Sequence, residues 1–162
     1  MDTFDVAFER TIGHEGGYVN DPNDRGGETK FGISRRAYPT LNIQALTLAE
    51  AKDIYRRDYW ALCACDEMPP LLACAVFDLA VNAGRYAAVQ DLQLALGLNN
   101  DGVLGPRTMA AIRALGHGMD DMRAAVRVHA AGLERRTNAP TWAHHGRGWA
   151  RRVARNLLEL GL

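Results

Sequence analysis

Residues 14–33 read HEGGYVNDPNDRGGETKFGI, and the fold turns on how this stretch is understood. Asn20, Asp21, Pro22, Asn23, Asp24, Gly26 and Gly27 are all turn formers, held between Tyr18-Val19 and Phe31-Gly32-Ile33. Such a run spells a loop or a small irregular β-hairpin, because these residues either tolerate left-handed backbone or bond to their own main chain. Upstream, Phe4, Phe8 and Ile12 recur every four residues beside Val6 and Ala7, after Asp2 or Thr3 as N-cap. That spacing predicts an amphipathic first helix, stopping at Gly16-Gly17. Glu15 then sits at the C-terminal end of the helix, where the helix dipole disfavours a carboxylate and burial adds to the effect. A carboxylic acid still protonated near neutral pH is what a general acid requires.

Asp24 lies nine positions beyond Glu15, and Thr29 follows it. A hairpin folding back brings both towards Glu15. Two carboxyl groups flanking one bond suffice for glycoside hydrolysis: one protonates the leaving oxygen, and the other activates water or attacks. The hydroxyl of Thr29 can hold that water. Asp24 before Gly-Gly is also an ordinary turn residue, Thr29 an ordinary strand residue, and Asp21 competes as the second carboxylate. Gly16 and Gly17 leave room for a substrate against the backbone.

Downstream, Thr47-Leu48-Ala49-Glu50 fits a capping box that opens a helix through about Trp60. Pro69 and Pro70 start a helix, LLACAVFDLAVNAG, apolar enough to be buried nearly all round. Helices are expected at about 85–96, from Pro106, near 119–137 and at 147–160, with NNDGVLG (99–105) as a turn. The best boundary is CACDEMPP near residues 61–70. It separates a catalytic lobe, 1–66, from a helical lobe, 67–162.

Nearly half the chain, 48%, is hydrophobic, which supports a real core and excludes disorder. Charge balances overall but not along the chain: residues 101–162 hold ten Arg against five acidic residues, net +5, leaving −5 for residues 1–100. That asymmetry marks either an anionic partner or solvated helix faces. It lacks the basic excess and interleaved aromatics of a nucleic-acid binder. Cys63, Cys65 and Cys74 lack zinc-ligand spacing and read as reduced core thiols, which suits synthesis in the cytoplasm. No signal peptide and no membrane span is expected, nor any cofactor or metal.

The segment EGGYVNDPNDRGGETKFGIS closely resembles the N-terminal motif of glycoside hydrolase family 108, muramidases of phage endolysins and bacterial secretion-associated loci. The similarity continues through TLAEAKDIYRRDYW to residue 60. Residues 70–160 then resemble the predicted peptidoglycan-binding region that follows in the family, through FDLAVNAG, LQLALG, DGVLGPRT and GRGWARRV. The resemblance implies that Glu15 is catalytic. Glu15, Asp24 and Thr29 also resemble the triad of phage-type lysozymes, with the same eight residues between Glu and Asp, but four rather than five before Thr. It further implies a mainly α, lysozyme-like fold of two lobes with a short β-hairpin region after the first helix and a cleft for substrate. The substrate implied is the glycan strand of peptidoglycan, cut between N-acetylmuramic acid and N-acetylglucosamine. A monomer delivered through a holin or a dedicated export system is expected, without insertion into a membrane.

Asn82 and Gly84 match positions in the family's second region and are candidates for the sugar cleft, although Asn-x-Gly also serves as a helix stop. Tyr18, Tyr59 and Trp60 are candidates for stacking on sugar rings, with a core role as the alternative for each. Two other readings stay open: a non-catalytic peptidoglycan-binding structural protein, and a lytic transglycosylase working with one Glu.

Overall fold

The computed structural model describes residues 2–13, 17–20 and 27–159. The chain is mainly α with a short antiparallel hairpin after the first helix, the lysozyme-like class expected. It divides into two compact units, Met1–Asp58 and Tyr59–Leu162.

In the first unit, α1 spans Thr3–Ile12 and buries Phe4, Ala7 and Phe8, as the four-residue spacing requires. It ends earlier than the sequence suggested. Gly13 takes φ 67 and donates its N–H to the Glu9 carbonyl, closing the helix before Gly16-Gly17 is reached. The hairpin pairs β1 (Thr29–Lys30) with β2 (Ile33–Ser34), Thr29 opposite Ser34 and Lys30 opposite Ile33. Helix α2, Leu48–Tyr55, carries the expected capping box: Thr47 accepts from the Glu50 N–H while Glu50 accepts from the Thr47 N–H. Its regular part is shorter than expected, because residues Arg56–Trp60 continue as a π-helical turn. Phe8 meets the Tyr55 ring edge-on with centroids 5.5 Å apart, and Lys52 pairs with Asp5 at 2.7 Å. These contacts fix α1 on α2.

The second unit begins with two 3-10 turns, Ala61–Cys63 and Cys65–Glu67, joined through Ala64 in the left-handed region. Five helices follow: α3 (Pro70–Ala83), α4 (Arg85–Ala95), α5 (Pro106–Arg113), α6 (Met119–Thr137) and α7 (Trp142–Glu159). The last starts five residues before the expected 147. Its first turns are held by Trp142, which lies on Gly146 and meets the Trp149 ring at 6.1 Å. Helices α3, α4 and α6 pack on one another, and α7 packs on α6. The core is α3, buried from Leu72 through Ala80 except for Cys74. Cys63 and Cys65 are buried as free thiols, with burial pushing Cys63 up to about 11.

Pro69 cannot cap α3 with its side chain, so the cap comes from α6. The Asp121 carboxylate accepts from the Leu71 N–H at 3.0 Å and the Leu72 N–H at 2.8 Å. Gly132 lets α6 approach closely, since a Cβ there would stand 2.9 Å from Leu79 Cδ2 and 3.1 Å from Asp91 Oδ2. Asp91 is wholly buried and bonds to Arg135, with Nη2 at 2.8 Å.

His129, on the same helix, is 3% exposed, and burial lowers its pKa, with Arg136 adding to the effect and Asp78 opposing it. The folded protein therefore keeps the imidazole neutral where the unfolded chain takes up a proton. Stability is complete at pH values above the unfolded histidine pKa of about 6.5 and falls as the pH drops below it. Denaturant titrations from about pH 8 to pH 5 should show this slope, and His129→Leu should flatten it. The same slope in the variant would assign the effect to other groups.

Candidate active site

Glu15, Asp24 and Asp21 lie outside the described residues. Because α1 closes at Ile12, the dipole argument for Glu15 starts from a helix that ends three residues before it. What the structure shows is the frame on either side of the turn-rich segment.

That frame is the hairpin and the strand-like residues facing it. Val19 and Thr29 form an antiparallel bridge with both backbone N–H···O distances at 2.8 Å. Thr29 is thus shared, bridged to Val19 and paired with Ser34 in the hairpin. The two-residue turn uses Phe31 at φ 51 and Gly32 at φ 75, both left-handed, as the tightest hairpin connection demands. Tyr55 of α2 secures it by donating its hydroxyl to the Phe31 carbonyl at 3.0 Å. A Cβ on Gly32 would fall 2.6 Å from that hydroxyl, so both the backbone angle and the space call for glycine. Lys30 reaches the Gln44 carbonyl at 2.9 Å.

Thr29 donates its hydroxyl to the Gly27 carbonyl at 3.2 Å. The proton is committed, and the oxygen remains as an acceptor for a water. Tyr18 keeps 37% of its surface exposed, and its hydroxyl donates to Glu28 Oε1 at 2.9 Å. The other oxygen of Glu28 accepts from Arg35, Nη2 at 2.6 Å and Nε at 3.2 Å. Arg35 and then Tyr18 hold the Glu28 carboxyl below the usual carboxylate range, and Glu28 in turn pushes the Tyr18 phenol up. Sequence reading missed Glu28 and Arg35. Their seven-residue separation becomes a contact only through the register of the hairpin, which places the Arg35 N–H on the Glu28 carbonyl at 2.8 Å.

In the second unit, Asn82 and Gly84 stand at the exposed end of α3. Asn82 Nδ2 donates to the Asp78 carbonyl at 2.6 Å and to Asp78 Oδ1 at 3.2 Å, which leaves the Asn82 oxygen as an acceptor. Asp78, nearly buried, is also held by Arg152 Nη1 and Asn156 Nδ2, each at 3.1 Å. Gly84 takes φ 85 between α3 and α4, with its N–H on the Ala80 carbonyl. Trp60 is core: it is 1% exposed, its ring meets Phe77 edge-on at 5.7 Å, and Nε1 donates to Asp66 at 2.7 Å. The loop 99–105 is pinned from beneath by buried Gln93, whose amide bonds Asp101, Val103, Thr108 and the Gly102 N–H. Among the described residues, no three His, Cys, Asp or Glu side chains gather as a metal site, and no helix is long and apolar enough to cross a membrane.

Residues 8–84 match the family described as glycosyl hydrolase 108, a span that contains every candidate site residue. Among solved structures the chain is similar to SagA of Brucella abortus, at 34% identity and a TM-score of 0.81, over 98% of this chain and 93% of that one. No curated protein matches.

Proposed function

Since the chain belongs to the glycosyl hydrolase 108 family, we propose that this glycoside hydrolase is a muramidase that cuts peptidoglycan between N-acetylmuramic acid and N-acetylglucosamine. The observation that carries the reading is the family match across the segment that holds Glu15. Glu15 protonates the glycosidic oxygen as the bond breaks. Asp24 activates the attacking water or stabilises the oxocarbenium-like transition state. Thr29 orients that water by accepting a hydrogen bond from it on its free lone pair, in keeping with a hydroxyl already bonded to Gly27. Tyr18 stacks on a sugar ring, and the Asn82 oxygen accepts from a sugar N–H or O–H, with Gly84 allowing close approach. The partner is the glycan strand, reached after holin-mediated release or dedicated export.

Mass spectrometry of purified peptidoglycan after digestion tests the reaction. A muramidase leaves soluble muropeptides with reducing muramic acid ends. Anhydro products, lighter by one water, would replace hydrolysis by transglycosylation. Wall binding without soluble products would replace catalysis by a binding role.

A further inference from the structure

The hydrogen-bonded chain Tyr18–Glu28–Arg35 carries an inference that rests on the reading of Tyr18 as a sugar platform. We propose that Glu28, braced by Arg35, is the positioning residue that sets the Tyr18 ring for substrate.

Three observations support it. The phenol is tethered at its far end: Tyr18 Oη to Glu28 Oε1 is 2.9 Å, so the ring cannot turn about its side-chain torsions without breaking the bond. The tether is itself held, because the Arg35 fork grips Glu28 Oε2 with Nη2 at 2.6 Å and Nε at 3.2 Å. The backbone beneath is fixed on both sides, by the Val19–Thr29 bridge and by the Arg35 N–H on the Glu28 carbonyl. The result is an exposed aromatic ring of fixed orientation, at the point where the chain leaves the Glu15 segment. An aromatic ring free to turn must be ordered by each substrate; one already ordered binds at lower entropic cost.

A stabilising role is a poor alternative explanation. The side chains of Glu28 and Arg35 are 26% and 46% exposed, and ion pairs in such settings contribute little to folding. Glu28 is equally unsuited to donate a proton, since Arg35 keeps it ionised.

The test is steady-state hydrolysis of peptidoglycan by the full chain, comparing wild type with Glu28→Ala, Glu28→Gln, Tyr18→Phe and the double variant Tyr18→Phe/Glu28→Ala, each checked for an unchanged thermal midpoint. Glu28→Ala should raise KM about tenfold with kcat little altered, the effect of one lost orienting bond. Tyr18→Phe should do the same, because it severs the same tether, and the double variant should be no worse than either single one. Glu28→Gln keeps an acceptor for the phenol and should recover most of the loss. Additive losses in the double variant, or a Glu28→Ala enzyme with wild-type KM, would overturn the proposal while leaving the muramidase reading intact. A wild-type protein that releases no muropeptides would overturn both.

Discussion

Replacing Glu15 by Gln is expected to lower hydrolysis of peptidoglycan by about 10²- to 10⁴-fold while leaving the fold and glycan binding in place. The amide matches the carboxylic acid in size and can still hydrogen-bond the glycosidic oxygen. It cannot deliver a proton, so the leaving alcohol must depart as an alkoxide. The loss therefore falls on kcat, and cell-wall sedimentation should be unchanged. Asp24→Asn separates the second role from the first. A comparable collapse supports Asp24 as the group acting on water, whereas retained activity transfers that role to Asp21. Substantial lysis by the Glu15→Gln protein would remove Glu15 from the mechanism.

The second large effect is on stability. Trp60→Ala should cost about 3–5 kcal/mol, the range for deleting a large aromatic from a packed interior. Trp60 is 1% exposed, meets the ring of Phe77 and bonds Asp66. Phe77 is itself wholly buried, so the space left by the indole would open inside the core. Trp60→Phe keeps the ring contact and loses the bond to Asp66, and should cost about 1–2 kcal/mol. Chemical denaturation measures both. An alanine variant as stable as the wild type would mean that the indole lies outside the core.

What could be read from the sequence was what neighbouring residues dictate to one another. The capping box at Thr47 and Glu50, the proline that opens α5 and the limits of α6 at Met119 and Thr137 all appear as expected. Each depends on groups within one or two turns. The end of α1 was open to the same reasoning, because Gly13 is the first residue after Ile12 able to take φ 67 without strain, and Gly16-Gly17 drew attention past it. Helix α7 was placed too late because His144, His145, Gly146 and Gly148 are weak helix formers, and the Trp142–Trp149 contact that outweighs them joins residues two turns apart. The π-helical turn at Arg56–Trp60 has no composition of its own to announce it.

At the candidate site the split is similar. The hairpin was legible only as a region: its strands and its turn, Phe31-Gly32, fall in what reads as the flank of the turn formers. The Tyr18–Glu28–Arg35 chain was not legible, since it exists only in one register, set by a left-handed Phe31-Gly32 turn fastened to Tyr55. Asn82 could be read as a polar residue at a helix end. That Asp78 occupies its amide and leaves only its oxygen for a ligand needs the three-dimensional arrangement.

The carboxylate that caps α3 arrives late in the chain. Asp121 is 49 residues beyond Leu72, so α3 leaves the ribosome well before the group that satisfies its first amides has been synthesised. Arg152 and Asn156 reach Asp78 across still longer spans, 74 and 78 residues. A nascent second unit thus holds an apolar helix with an open end until α6 and α7 emerge. Its helices gain their polar partners together, only once α6 and α7 have been made, which favours folding of the unit as one cooperative step rather than helix by helix.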